Sequence, residues 1–167
     1  MIFAIDPGNI ESAYVCIDRK TQKPVRFGKI KNEELRDLLT EIMTESEELA
    51  FYMEMIGHYG TGMPAGKTVF DTCVWIGRFL ETIEVQQGTT ATLVLRPTVK
   101  THLCGSARAK DANVTQALVD RFAPGQSNFG KGTKANPGWF HGFSKDVWQS
   151  YALAVYAADL TKDDSDG

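Results

Sequence analysis

Three carboxylates in this sequence are candidates for chemistry: Asp6, Glu54 and Asp146. Carboxylates without a neighbouring His or Cys suit hard, oxygen-preferring ions, Mg²⁺ first and Mn²⁺ as its substitute. Two such ions about 4 Å apart would bind the attacking water and the leaving oxygen of a phosphodiester, so the implied chemistry is metal-dependent phosphodiester hydrolysis. Each residue also has a plainer role. Asp6-Pro7-Gly8 is a common turn opener. Glu54, among apolar neighbours, needs a partner if it is buried, and Asp146 at a helix start complements the helix dipole. The chemical reading rests on all three meeting.

The elements that would bring them together can be read from the pattern. Met1 to Asp6, Ser12 to Ile17 and Val25 to Ile30 are strand-length apolar runs joined by short turns, which predicts an antiparallel meander. Asn32 reads as the N-cap of an amphipathic helix to about Ser46, with Leu35, Leu38, Leu39 and Ile42 at helical spacing. Leu49 to Met55 is a fourth strand carrying Glu54 near its end. Thr68 to Gln87 is a long helix whose apolar stripe of Phe70, Val74, Trp75, Phe79 and Ile83 mixes core with a dimer seam. Thr92 to Leu95 is a fifth strand; helices follow at Pro97 to Leu103 and Asp111 to Phe122, with Pro97 suited to a first helical position. Ala123 to Phe143 reads as a loop, and Ser144 caps a last helix to about Asp159. The expected fold is α/β, a mixed five-stranded sheet of three antiparallel and two parallel strands flanked by helices. A helical crossover returns the fourth strand beside the first, so Asp6 and Glu54 become neighbours.

The chain has 167 residues, which fits one domain, expected over 1–161 with an acidic tail at 162–167. No segment is apolar for long enough to span a bilayer. The start lacks a basic n-region and a small-residue cleavage site. Three widely spaced cysteines, with no C-x-x-C pair, fit reduced thiols in a cytoplasmic protein rather than disulfides or a zinc knuckle. Net charge is −3, yet from Arg96 to Asp146 eight Lys and Arg face three acids, a basic half able to hold phosphates. Gly62-Met63-Pro64-Ala65-Gly66-Lys67-Thr68 looks like a phosphate-binding loop, but three residues separate its glycines where that motif needs four, so no nucleotide cofactor is expected.

In order, Ile5-Asp6-Pro7-Gly8, Glu54 on the fourth strand, Arg96-Pro97-Thr98-Val99-Lys100, Gly105 to Val114 and the closing Ala152-Leu153-Ala154 resemble the RuvC-type Holliday-junction resolvases. The resemblance covers nearly the whole chain. It implies an RNase H-like fold, a homodimer and Mg²⁺-dependent nicking of four-way DNA junctions. It also places Lys100 and Lys110 on phosphates near the scissile bond, as mobile point charges. Arg96, Arg108 and Lys67 join them as expected DNA contacts. His58, Tyr59 and Met63 would meet unpaired bases, and Lys131 and Lys134, among Trp139, Phe140 and His141, would track DNA.

One departure stands out. The family generally carries two acidic or His ligands three residues apart at the start of the last helix; here Asp146 is followed at that spacing by Gln149. Matching the Ala-Leu-Ala run directly would instead leave Trp148 and Tyr151 in those places. The register that keeps Asp146 is preferred, with Gln149 as a weaker ligand through its amide oxygen, or His141 as a substitute. Rival readings are a nuclease on flaps or RNA–DNA hybrids, and a junction-binding protein that has lost cleavage; an actin-like ATPase needs a longer chain.

Overall fold

A computed structural model describes residues 1–45, 48–57 and 66–163. Its elements are β1 (Ile2–Asp6), β2 (Glu11–Ile17), β3 (Pro24–Lys31), α1 (Asn32–Glu45), β4 (Ala50–Met55), α2 (Lys67–Gln87), β5 (Thr92–Leu95), α3 (Arg96–Cys104), α4 (Asp111–Phe122) and α5 (Lys145–Asp163). The strands form one sheet in the order β3-β2-β1-β4-β5. The meander pairs are antiparallel, while β1–β4 and β4–β5 are parallel. This is the expected mixed α/β arrangement, and each parallel step is bridged by helix, as such steps require.

Period-two alternation in the strands divides the apolar residues between two cores. Phe3, Ile5, Tyr14, Cys16, Phe51 and Met53 face α1 and α2, where Leu35, Leu39, Phe79 and Ile83 complete a layer. Ile2, Ala4, Val15, Ile17 and Val94 face the other way, onto α5, α3 and α4, with Val114, Leu118, Tyr151, Ala154 and Val155. Burying each large aliphatic or aromatic side chain contributes about 1.5–3 kcal/mol, so both faces are strongly specified. A strand slipped by one residue would exchange these two sets.

Asn32 departs from its expected role. Its side chain does not cap α1; it is fully buried, donates from Nδ2 to the Gly8 carbonyl (2.9 Å) and accepts from Ser12 Oγ (2.6 Å). Ser12 Oγ in turn accepts the Gly8 N–H at 3.1 Å, and the Asn32 N–H reaches the Ile10 carbonyl at 2.9 Å. These bonds tie the turn after Asp6 to the start of α1. They leave no room for a side chain at Gly8, where a Cβ would lie 2.2 Å from the Glu11 carbonyl oxygen.

The long connection after α4 is also not what its Gly, Pro and Asn content predicts. It contains a 3-10 turn at Asn128–Gly130 and a bridge between Gly132 and Pro137. Phe140 and Phe143 are buried in the α5 core. Trp139 stacks on Phe122 and donates from Nε1 to Tyr151 Oη at 3.0 Å. Gly138 is pressed against the Gly130 carbonyl, 2.2 Å from where a Cβ would stand. The aromatics expected to track DNA are therefore spent on packing; only His141 among them is exposed, with Nδ1 3.2 Å from the Lys131 carbonyl oxygen.

Candidate active site

The sheet register aligns the site. Asp6 pairs with Ala13, and Ala13 with Lys29, across β1, β2 and β3. On the other side Ile5 pairs with Met53, so Glu54 is the next residue along β4, and it pairs with Val94 on β5. Side chains in one such row point to one face. Lys29, Ala13, Asp6, Glu54 and Val94 thus form a single row across the α5 side of the sheet. Asp146, in the first turn of α5, is set over that row.

Asp6 and Glu54 share one cation. Arg96, the first residue of α3, donates from Nε to Glu54 Oε1 at 2.8 Å and from Nη2 to Asp6 Oδ1 at 3.4 Å. Its Nη1 lies 3.9 Å from Asp111 Oδ2, and Lys100 Nζ lies 3.4 Å from Asp111 Oδ1. The sharing is uneven, and Asp6 gets the long contact. Burial and then the neighbouring Glu54 charge push the Asp6 carboxyl up to about 7, with Arg96 opposing. Glu54 is also raised by burial, against the pull of Arg96.

The third carboxylate is held by a different cation. Asp146 Oδ2 accepts a hydrogen bond from Lys29 Nζ at 2.6 Å, and that bond raises the lysine's affinity for its proton. Asp6, Gly8, Glu11, Ala13, Lys29 and Asp146 line one small cleft of about 180 Å³. Among the described residues no three acidic, His or Cys side chains converge closely enough to hold an ion between them. Asp6 with Glu54 is one group, and Asp146 with Lys29 is another, on opposite sides of Asp6.

The remaining expected residues divide by location. Gln149 is buried at 8% exposure and is not among the residues lining the cleft. Lys110 and Arg108 are exposed in the α3–α4 connection, where the Lys110 backbone N–H donates to Asn113 Oδ1 at 2.9 Å. Lys134 is exposed and Lys131 half-buried. Lys67, at the start of α2, pairs with Asp71. His58, Tyr59 and Met63 lie outside the described residues. Lys29, Glu11 and Asp111 were not singled out from the sequence. Only Asp111 had a readable signal: an acid at a helix start immediately after a candidate phosphate lysine.

The residues present fit a divalent ion at one position. Asp6 and Glu54 supply two hard oxygen donors from adjacent strands, both raised by burial and so in need of positive charge. They do not fit a second ion on the Asp146 side, where Lys29 already sits and where the neutral, buried Gln149 does not line the cleft.

No protein-family profile and no curated protein matches the sequence. Solved structures do match. A Thermus thermophilus RuvC structure superposes with a TM-score of 0.64 at 14% identity, over 97% of this chain and 96% of that one. T. thermophilus RuvC in complex with Holliday junction substrate superposes with a TM-score of 0.62 at 15% identity, covering 96% of each chain. The chain therefore has a RuvC-like, RNase H-like fold.

Proposed function

We propose that this protein is a structure-specific endodeoxyribonuclease that resolves four-way or otherwise branched DNA by hydrolysing phosphodiesters with a divalent ion, Mg²⁺ or Mn²⁺. The observation that carries the reading is the Asp6–Glu54 pair. Two half-buried carboxylates stand side by side on parallel strands and share one arginine, and Asp6 also lines an open cleft. Such a pair is poorly stabilised as it stands, and a hard cation would complete it.

Asp6 and Glu54 would hold the ion, which when bound supplies Lewis acidity to the scissile phosphate. The Arg96–Asp6 contact is the long one and would be the one given up to such an ion, while Arg96 has Glu54 and Asp111 as its other partners. Asp146 and Lys29 line the rest of the cleft and orient the phosphodiester there. Lys100 and Lys110 bind backbone phosphates on the α3–α4 side, with Arg108, Lys131 and Lys134 extending the basic surface. His58, Tyr59, Met63 and Lys67 are proposed to enter the branch point.

Paired nicks in a four-way junction require two sites, so a homodimer belongs to this reading. The exposed Phe70 (62%) and Val74 (60%), one turn apart on α2, form an apolar face suited to a second copy. No helix among the described residues is long and apolar enough to cross a membrane, and reduced, free cysteines agree with a cytoplasmic setting. The deciding experiment incubates the protein with a labelled four-way junction and a matched linear duplex, with Mg²⁺, Mn²⁺ or chelator. Symmetrical, metal-dependent nicks confined to the junction are expected. Binding without nicking under any ion would favour a non-catalytic junction-binding protein, and preference for an RNA–DNA hybrid would move the substrate.

A further inference from the structure

The Lys29–Asp146 pair occupies the side of Asp6 where a second ion would be required by two-ion phosphodiester chemistry. Lys29 stands in the same cross-sheet row as Asp6, separated from it by Ala13 alone. Alanine is too small to fill the space between its neighbours, and that space is part of the cleft. The ammonium projects into it and bonds Asp146 Oδ2 at 2.6 Å. Glu11, at the end of the same cleft, adds a further negative charge favouring it. Three residues along α5 from Asp146 the chain has Gln149, neutral, buried and not lining the cleft, so it adds no carboxylate there.

Charge arithmetic links these facts. A divalent ion between Asp6 and Asp146 would place two positive charges beside the Lys29 ammonium, with one carboxylate fewer than usual to offset them. A lysine in that place gives one positive charge without needing a fourth donor. Its four-carbon stem lets the ammonium reach from Asp146 toward a phosphoryl oxygen in the cleft, as a point charge can.

We propose that the site takes a single divalent ion, on Asp6 and Glu54, and that Lys29 supplies the second positive charge of the reaction centre from its seat on Asp146. This rests on the nuclease reading above. In hydrolysis, water oxygen bonds to phosphorus as the phosphorus–O3′ bond breaks; the water gives up a proton to solvent and the departing O3′ takes one up, so the products are a 5′-phosphate and a 3′-hydroxyl. Lys29 stabilises the charge that builds on the phosphoryl group during that exchange and gives up no bond of its own.

The test counts ions on the DNA-free protein, titrating with Mn²⁺ alone and reading free Mn²⁺ by electron paramagnetic resonance. Wild type is expected to bind one ion. Lys29→Glu, which replaces the competing charge with a carboxylate on the lining of the same cleft, is expected to bind two. Lys29 is an exposed strand residue, so Lys29→Ala folds and serves as a second variant. It is expected to keep one ion while cutting falls roughly a hundredfold, with Lys29→Arg restoring part of the rate. Two ions on wild type, at comparable affinity, would overturn the proposal and leave the nuclease reading standing. No ion on wild type would overturn both. Unchanged cutting by Lys29→Ala would return the lysine to the surface.

Discussion

Two carboxylate clusters in this protein are built to opposite ends. On the far side of α5, Asp159 accepts hydrogen bonds from Arg121 Nη2 (2.7 Å) and Nη1 (2.8 Å) and from Gln22 Nε2 (2.8 Å), and meets His102 Nε2 at 2.8 Å. Burial alone would raise Asp159, but these partners more than reverse that and hold it well below the usual carboxylate range. Arg121 also reaches Gln22 Oε1 (2.9 Å), and Tyr151 Oη donates to the Gln22 carbonyl (2.9 Å), so the cluster clamps the β2–β3 turn, α4 and α5 together. Asp6 has one long arginine contact and is raised to about 7. The first cluster is complete in itself and stabilises the fold. The second leaves the Asp6 carboxyl short of positive charge, so a cation is what would stabilise it most.

The largest effect expected from breaking this contrast is catalytic. Asp6→Asn or Glu54→Gln should reduce junction cutting on the order of 10³-fold, while gel-shift affinity for the junction stays within a few fold. Full activity in either variant would remove that residue from the site. The stability readouts should run in opposite directions. Asp159→Asn should destabilise the protein by roughly 2 kcal/mol, measured by urea unfolding, since Arg121 and His102 lose their shared acceptor. Asp6→Asn should stabilise it by roughly 1 kcal/mol at pH 8 without added metal.

The pH dependence sharpens the same point. The folded Asp6 value lies above its unfolded one, so the folded state holds the extra proton, and stability contributed by protonated Asp6 is lost as pH rises from about 4 to 7. The folded Asp159 value lies below its unfolded one. Its contribution is present above about pH 4 and is lost as pH falls further. An ion competes with that proton for Asp6, so at subsaturating metal cutting should climb through about pH 7 and then level off, with added metal moving the rise to lower pH. A rate that is flat from pH 5.5 to 8 would contradict this. The smallest effect is expected from Lys110→Ala, which should weaken cutting roughly tenfold, about 1.4 kcal/mol, with an unchanged unfolding midpoint.

Much of this was legible from the residues. Strand and helix limits follow from periodicity nearly to the residue, because alternation in β1 and β2 and the Leu35–Ile42 stripe are each local signals. The Asp6–Glu54 adjacency follows from the crossover rule for parallel strands. The Lys29–Asp146 pair was not legible: it depends on register across three strands and on where α5 sits, and a single lysine in a strand carries no mark of either. The segment from Ala123 to Phe143 misled for a related reason. Glycine and proline report turns rather than exposure, and Phe140 and Phe143 have no periodicity by which their burial could be read. Asn32 misled because capping chemistry and the Gly8–Ser12 latch use the same side-chain groups.

The latch formed by Gly8, Ser12 and Asn32 bears on how the molecule is made. Its bonds join residues at most 24 positions apart, so the turn that aims Asp6 can close as soon as Asn32 joins the segment that carries Gly8 and Ser12. Asp146 comes on α5, which together with α3 and α4 covers one face of the sheet. A chain halted before residue 145 lacks α5 from that cover, and Asp146 with it. The Asp146 carboxylate and the completed core on that face therefore arrive with one helix, later than the latch that aims Asp6.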